Sequence, residues 1–456
     1  MVKSMTEGKP IKLILQFAFP LLLGNLVQQT YNMADAAIVG KKLGTNALAA
    51  VGASTSVQFL VLGFVIGTCA GFGIPIAQAF GAGDHSRMRK YIFHSALWTG
   101  IIGLLLTSIT ALLTGNILHL MQTPEDIYRD AYLYLLVIFL GIPFSLLYNL
   151  TSSMLRAVGD SKTPFVILAI SAFLNIFLDL FCIVVLKWGC LGAAIATISS
   201  QAISGVLCLI LILKRYEILR LKKEEMVFVP SIFGYVIKMG APMGFQYSVT
   251  AIGSMVMQSA NNALGSVYVS AFTAATRIKQ FTMCPFDALA TGVGTFVGQN
   301  FGAGKMQRVK MGIIHGAIVG VIYGAFIGLI MIVFGRMASL LFLDGSKVAV
   351  LDASAKYLRA MGFFYWVLGV LNVCRYSVQG LGYSGRAIFS GLVEMLARTI
   401  VSLIFVPMFA FSAICFADQT AWVSATLYNI PVCIWAFHKC VSLVNGNKEK
   451  GINRLN

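Results

Sequence analysis

The sequence predicts an all-α polytopic membrane protein, with twelve transmembrane helices in two six-helix lobes related by a parallel pseudo-twofold repeat. Three observations predict this fold class. Hydrophobic residues make up 58% of the 456 residues and charged residues only 11%, against about 25% charged in an ordinary soluble domain. Apolar runs of about 20 residues recur along the chain, which is the length that a helix needs to cross a bilayer. Two distant segments also repeat nearly the same sequence.

The apolar runs define the predicted spans in chain order. No run alternates apolar and polar residues as the strands of a membrane barrel do, so the spanning elements are helices. The N-terminal lobe is predicted at 1–213, a cytoplasmic linker at 214–230, the C-terminal lobe at 231–438 and a cytoplasmic tail at 439–456. The twelve spans are 13–38, 47–78, 91–118, 131–156, 164–186, 191–213, 231–262, 268–299, 311–341, 356–380, 387–411 and 419–438.

Lys and Arg residues set the predicted orientation. With the N-terminus inside, 21 of them lie in or at the edge of inner segments and 6 in or at the edge of outer loops. This bias places both termini in the cytoplasm, and we expect the chain in the inner (plasma) membrane of a cell. It also explains the net charge of +17 without a nucleic-acid partner. The basic N-terminus has no A-x-A-like cleavage site after its apolar run, so it is predicted to be retained.

The repeated sequence is QAFGAGDHSRMRK at 78–90 and QNFGAGKMQRVKM at 299–311. A shift of 221 residues aligns Gly81 with Gly302, and the match continues into the neighbouring spans. FGAG is not a phosphate-binding loop, because it lacks the Walker Lys-Ser/Thr and follows no strand. Each copy holds six spans, an even number, so both halves share one orientation. This is the parallel-repeat plan of some secondary transporters.

Residues with enzyme or metal chemistry form no motif outside the spans. The nine cysteines lie in or beside apolar runs without a C-x-x-C pair, and we interpret them as small core residues. The five histidines are scattered, and no loop contains a serine elbow, a metal-spaced His cluster or a paired-carboxylate motif. The sequence therefore predicts a protein that is not an enzyme and has no cofactor.

Acidic residues inside the predicted spans are the strongest functional signals, because an ionised Asp at mid-bilayer costs about 2.5–3.5 kcal/mol. In the first span, Asn25, Gln28, Asn32 and Asp35 follow at i, i+3, i+7 and i+10, one stripe on one helix face. Such a stripe must face protein or water rather than lipid. Hydrogen bonding to neighbouring helices is the structural alternative, but a bare carboxylate is a costly way to make such contacts.

Asp179 in the fifth span is the second such acid. Asn175 precedes it by four residues and shares its helix face, and Thr197 lies in the next span of the same lobe. Carboxylate, amide and hydroxyl oxygens are ligands of small hard cations, and two close carboxylates favour a proton or a cation between them. We predict a coupling site for H⁺ or Na⁺, and a metal site only in the Na⁺ case, from Asp35, Asn175, Asp179 and Thr197.

The second lobe does not repeat this site. At the equivalent position, Glu394 and Arg398 stand at i and i+4 and are predicted to form a structural ion pair. The first and seventh spans are repeat equivalents rich in Met and aromatic residues, and such adaptable side chains suit a promiscuous pocket. Core or lipid packing is the alternative for any one of them. The predicted substrate cavity takes in Asn32, Met33, Gln246, Met257 and Asp287.

Taken in order, these features resemble one family. The chain carries Pro20 and YNMADAAIVG in the first span, QAFGAG after the second, RAVGDSKTP after the fourth, NIFLDL, GAAIAT and GQNFGAG. This pattern resembles the MATE (multidrug and toxic compound extrusion) transporters over nearly the whole chain. The resemblance implies multidrug efflux by an antiporter, in which export of organic, often cationic compounds is coupled to inward H⁺ or Na⁺ by alternating access. The alternative is a lipid-linked oligosaccharide or lipid flippase of the same superfamily.

The resemblance also implies roles for individual residues. In the DinF-like branch, Asp35, Asn175, Asp179 and Thr197 match the cation site, and Pro20 matches a proline that bends the first helix. Residues 231–262 and 356–380 contain no Asp or Glu, unlike the seventh and tenth spans of the NorM-like branch. The expected partners are small organic compounds and the lipid bilayer, and the chain is expected to be a monomer. Matching substrate-lining positions are Gln28, Tyr31 and Asn149.

Overall fold

A computed structural model describes residues 2–452, in which fifteen α-helices and no strand occur. The predicted tail begins inside the last helix, and residues 453–456, including Arg454, lie outside the described part. The helices are α1 (Pro10–Leu43), α2 (Thr45–Gly81), α3 (His85–Leu120), α4 (Glu125–Leu140), α5 (Ile142–Ala157), α6 (Lys162–Leu180), α7 (Gly189–Arg215), α8 (Pro230–Asn262), α9 (Ser266–Gly302), α10 (Met306–Ser339), α11 (Val348–Gly362), α12 (Tyr365–Gly380), α13 (Gly385–Ile400), α14 (Val406–Phe409) and α15 (Phe411–Ile452).

The helices account for the predicted number of spans. Eight helical segments of the described chain are long and apolar enough to cross a membrane, and the bent pairs α4–α5 and α11–α12 add two more. The remaining long helices are α8, with 33 residues, and α9, with 37. They are long enough but carry more polar residues, and they bring the total to twelve.

Two predicted spans are not continuous helices. The fourth span bends by 44° between α4 and α5, and the tenth bends by 52° between α11 and α12. At the first bend Gly141 separates the two helices, and Pro143 stands in the first turn of α5. Proline lacks a backbone N–H and clashes with the preceding turn, so it starts a new helix rather than continuing the old one.

The chain divides into two compact units whose boundaries lie inside α1 and α8. Unit 1 contains residues 2–4 and Leu23–Ser248, and unit 2 contains Met5–Leu22 and the described residues after Ser248. The sequence had instead placed the division in the linker. Glycines let the first part of α8 approach α2 within unit 1, since a Cβ on Gly71 would lie 2.5 Å from the Met239 carbonyl oxygen. The linker therefore belongs to unit 1.

Each unit has its own hydrophobic core. Fully buried aromatic side chains include Phe72 and Phe139 in unit 1, and Tyr357, Tyr365 and Trp422 in unit 2. The duplication is visible in backbone detail, because a five-residue π-helical turn follows α6 at Phe181–Val185 and another follows α13 at Val401–Phe405. Single π-turns inside helices are rare and frequently mark functional sites.

Candidate functional site

The two predicted carboxylates of the first lobe meet in unit 1. Asp35 projects from α1 and Asp179 from the last turn of α6, and their carboxyl groups lie within hydrogen-bonding reach of each other. Asp179 is completely buried, whereas Asp35 is half-buried. Within the described chain neither carboxylate forms an ion pair with Lys, Arg or His. Two acidic side chains therefore face each other between membrane helices, without a basic partner among the described residues.

Asn175 completes a set of unpartnered polar atoms. It lies one turn before Asp179 on α6 and is 2% exposed. Both atoms of its amide, both oxygens of Asp179 and Oδ1 of Asp35 are buried, and no donor or acceptor in the described residues bonds them. More than nine-tenths of buried polar groups in proteins have a partner. This donor set therefore fits a proton, a hard cation or water bound between the helices.

Thr197 is less closely tied to the pair. It is half-buried on α7, and its carbonyl accepts a hydrogen bond from the Ser200 hydroxyl at 2.8 Å. Its hydroxyl donates to none of the unpartnered oxygens of Asp35 and Asp179. The structure thus brings Asp35, Asp179 and Asn175 to one place, and Thr197 stays a prediction as a fourth ligand. The described residues contain no group of three or more His, Cys, Asp or Glu side chains arranged for a metal.

Two tyrosines surround the carboxylate pair. Tyr31 and Tyr134 lie close enough to interact electrostatically with both Asp35 and Asp179. Tyr134 is buried on α4 and had not been predicted, because no motif marks it. Only the packing of α4 within unit 1 places Tyr134 beside Asp35 and Asp179. It gives the site a hydroxyl that the sequence did not reveal.

The predicted substrate positions are distributed over both units, and their role stays a prediction. On α1, Gln28, Tyr31 and Met33 are half-buried and Asn32 is exposed. In unit 1, Asn149 donates its amide hydrogen to the Ser145 carbonyl at 2.8 Å. Two of the predicted positions are buried, Gln246 in unit 1 and Met257 in the core of unit 2.

Asp287 is exposed on α9, two residues after Pro285 in the same helix. Thr273 and Gln280 precede it at intervals of seven residues and are also exposed, so one face of α9 carries a polar stripe. A polar face in a membrane helix turns toward water or protein rather than lipid. Arg375 is the basic residue that interacts electrostatically with Asp287. The two do not form an ion pair, since Arg375 is bonded to Glu394 and Ser390.

The predicted pair Glu394–Arg398 is present, with Nη2 and Oε2 3.4 Å apart, and it is part of a larger buried network in unit 2. Arg398 also donates to Asp418 at 2.9 Å, and Arg375 donates to the other oxygen of Glu394. Lys279 contacts Asp418 at 2.5 Å. The prediction of a simple pair missed Asp418, which lies one residue before the predicted twelfth span.

The network joins five helices and is unbalanced in charge. Lys279 lies on α9, Arg375 on α12, Glu394 and Arg398 on α13 and Asp418 on α15, and the Tyr357 hydroxyl of α11 donates to Asp418 at 2.7 Å. Three basic side chains thus share two carboxylates. The side chains are between 0% and 15% exposed. Unit 2 therefore holds paired charges where unit 1 holds unpaired acids.

Comparison with known proteins identifies the relatives of this chain. Residues 20–181 and 242–404 match the MatE family, once in each half. The chain is 32% identical over 395 residues to the "Probable multidrug resistance protein YpnP" of Bacillus subtilis (strain 168), an alignment that covers 85% of this chain and 86% of that protein.

The fold is similar to solved transporter structures. One is described as the outward-facing conformation of a multidrug resistance MATE family transporter of the MOP superfamily, with a TM-score of 0.86, 20% identity and 97% of both chains covered. Another is a MOP superfamily transporter from Pyrococcus furiosus, with a TM-score of 0.85, 20% identity and coverage of 97% of this chain and 98% of that one. At this identity the likeness establishes the fold, and it confirms the predicted fold class.

Proposed function

This chain belongs to the MatE family and is a multi-pass membrane transporter rather than an enzyme, and from that premise we propose that it exports organic, often cationic compounds in exchange for inward H⁺ or Na⁺. The Asp35–Asp179 pair carries this proposal. Two carboxylates within hydrogen-bonding reach, with no basic partner, repel each other until a proton or a cation lies between them. Relatives named as multidrug resistance and export proteins support the choice of substrate.

Coupling requires that the ion change the relative stability of two transporter states, because mere co-binding shifts nothing. α1 is suited to this role, since Asp35 lies in its unit 1 part while Met5–Leu22 belong to unit 2. Pro20 stands two residues before that boundary and removes one backbone hydrogen bond from the helix. We expect ion binding at Asp35 to alter the bend of α1, and alternating access to follow.

The ion itself would be cargo rather than a resident cofactor. If it is Na⁺, its ligands would be oxygens of Asp35, Asn175 and Asp179, with Thr197 as a further oxygen. If it is H⁺, the same two carboxylates would share it. We place the chain in the DinF-like branch, because α8 and residues 356–380 contain no Asp or Glu. We also place it in the inner membrane as a monomer, with both termini cytoplasmic.

The test is transport in proteoliposomes with pH and sodium gradients imposed independently. We expect counterflow of a fluorescent organic cation to follow one of the two gradients and to stop when an ionophore dissipates it. Equal export with and without both gradients would contradict secondary active transport. The internal control is a second ionophore that dissipates only the other gradient, which should leave export unchanged.

Export is favoured over the flippase alternative by the state of three basic residues of unit 2. A flippase for a pyrophosphate-linked lipid needs free cationic groups in its cavity. Lys279, Arg375 and Arg398 are instead bonded to Asp418 and Glu394. Growth protection by the expressed protein against cationic dyes would support export, whereas rescue of a lipid-linked oligosaccharide defect without such protection would support the flippase.

Replacing Asp287 with Asn is expected to weaken recognition of permanently charged organic cations. Its exposed carboxylate forms no ion pair with any residue that the structure describes. An accessible charge contact contributes up to about 1 kcal/mol, or about fivefold in affinity. We therefore expect the KM of a quaternary ammonium substrate to rise about fivefold and that of a neutral substrate to stay unchanged. Asp287→Glu, which keeps the charge, is the matched control. An equal change for both substrates would exclude a charge contact.

A further inference from the structure

The connection between α7 and α8 is a folded element held against unit 1. α7 ends at Arg215 and α8 begins at Pro230, so residues 216–229 join two membrane helices on the side that the positive-inside rule makes cytoplasmic. Two short 3₁₀ turns, Glu217–Leu219 and Lys223–Glu225, shape this segment. Because both ends enter the membrane, the segment is kept near the depth of the lipid headgroups. We call residues 214–229 the linker strap.

One face of the linker strap is bonded to unit 1. Arg89 of α3 donates to both carboxylate oxygens of Glu225, at 2.5 and 2.7 Å. This guanidinium holds the pKa of Glu225 below its usual range, so the pair is ionised at neutral pH and would be lost only as the medium becomes acidic enough to protonate Glu225. Tyr216, Leu219 and Glu225 are all buried.

The C-terminal end of the linker strap is also bonded to α3. The Val229 backbone N–H donates to Nε2 of His94 at 2.8 Å, and Nδ1 of His94 lies 2.7 Å from the Lys90 carbonyl oxygen. Nε2 therefore accepts the first of these hydrogen bonds, and Nδ1–H donates the second. The ring of Phe228 lies 5.7 Å from that of His94 and 5.3 Å from that of Phe233. The orientation of Phe228 is thus set by unit 1.

The opposite face of the linker strap is exposed, basic and apolar. Five basic residues are exposed on it, against two exposed acids, Glu217 and Glu224. Three consecutive apolar side chains are about half exposed, Met226 at 48%, Val227 at 57% and Phe228 at 54%. The exposed basic residues are Lys214, Arg215, Arg220, Lys222 and Lys223.

The corresponding segment of the other repeat, Met5–Gly8 before α1, lacks the exposed apolar residues of the linker strap. The segment before α1 is bonded to unit 2 in a comparable way, since Arg308 donates to the Gly8 carbonyl at 2.8 Å and the Met5 N–H donates to Gln299 at 2.8 Å. Docking of the segment before a first helix is therefore common to both copies. In Met5–Gly8, however, the only large apolar residue, Met5, is buried. The exposed apolar triplet is a feature of the linker strap.

We propose that the linker strap is a docking surface for anionic phospholipid of the cytoplasmic leaflet. Its basic residues would contact the headgroups, and Met226, Val227 and Phe228 would enter the boundary between headgroups and acyl chains. Clusters of Lys and Arg beside a membrane helix attract anionic lipid, and apolar side chains at the same depth add burial. The rigid attachment to unit 1 means that lipid bound here holds unit 1 rather than a loose loop. This inference does not depend on what the protein exports.

The test is hydrogen–deuterium exchange of the full chain in nanodiscs of phosphatidylcholine, alone or with about 30% phosphatidylglycerol. We expect backbone amides of residues 222–229 to exchange about tenfold more slowly with the anionic lipid. The triple variant Arg220→Gln, Lys222→Gln, Lys223→Gln should lose this difference. The matched control neutralises Lys41, Lys42 and Lys347 on the predicted opposite side and should keep it.

Further arms separate the lipid from other acidic partners. The variant Val227→Ser is expected to exchange faster in both lipid compositions, because it removes the most exposed of the three apolar side chains without altering charge. Equal exchange rates in the two nanodiscs would overturn the proposal. The proposal would also be overturned if a soluble acidic polypeptide or an oligonucleotide slowed exchange at these residues and phosphatidylglycerol did not. Thermal unfolding of each variant, expected to match that of the wild-type protein, checks that the exposed substitutions leave the fold intact.

Discussion

Replacing Asp35 with Asn is expected to uncouple transport from the ion gradient while leaving the protein folded. The substitution keeps the size of the side chain, removes one of two facing charges and supplies an amide hydrogen that can bond Asp179. With the repulsion gone, no proton or cation is needed between the two side chains. Coupling free energies between ligands are about 1–3 kcal/mol, or about 5- to 150-fold in affinity. We expect that factor to fall to about one in Asp35→Asn.

The measurement is substrate affinity and counterflow at varied pH and sodium concentration, on wild-type and variant proteins in the same vesicles. Asp352→Asn is a matched control, because the same chemical change is made at an exposed residue that pairs with Arg336 at 2.9 Å. It should leave the ion response intact. Asp179→Asn should reproduce the effect of Asp35→Asn, since the two carboxyls act as one site. Unchanged dependence on both ions in Asp35→Asn would refute the assigned coupling site.

Much of this site could be anticipated from the sequence because it rests on local spacing. Asn175 and Asp179 are four residues apart, so any helix places them on one face, and an acid in an apolar span such as Asp35 calls for an explanation. That Asp35 reaches Asp179 depends on how α1 packs against α6, and no local pattern encodes that packing. Tyr134 was missed for the same reason. Its contribution arises from the rotation of α4 within unit 1.

The fold shows the same division between local and non-local information. Apolar runs and the 221-residue repeat predicted the helices and the two halves. They did not predict that α1 and α8 each belong to both units, which follows from close helix contacts such as that of Gly71 with Met239. Nor did they predict the bend at Gly141, because a straight helix and a broken helix can have the same apolar composition.

Substitutions in the buried network of unit 2 are expected to have a second large effect, on stability. The balance of charges decides which substitution destabilises the protein more. Three basic side chains share Glu394 and Asp418. Asp418→Asn would leave Lys279 without its ion-pair partner, and Arg375 and Arg398 would share Glu394. Breaking a buried pair in this way costs about 3–5 kcal/mol. Lys279→Met removes the cation that is in excess, and so leaves two basic residues for two acids.

We therefore expect Asp418→Asn to lower the free energy of unfolding by about 3–5 kcal/mol and Lys279→Met by clearly less. Denaturant unfolding in detergent measures both. Arg336→Met is the matched control, because the Arg336–Asp352 pair has side chains that are 56% and 60% exposed, and such pairs contribute about 0–1 kcal/mol. Equal losses for Asp418→Asn and Lys279→Met would show that the contacts themselves, and not the charge balance, stabilise unit 2. The third basic side chain would then be balanced from outside the network, by Asp287, which interacts electrostatically with Arg375.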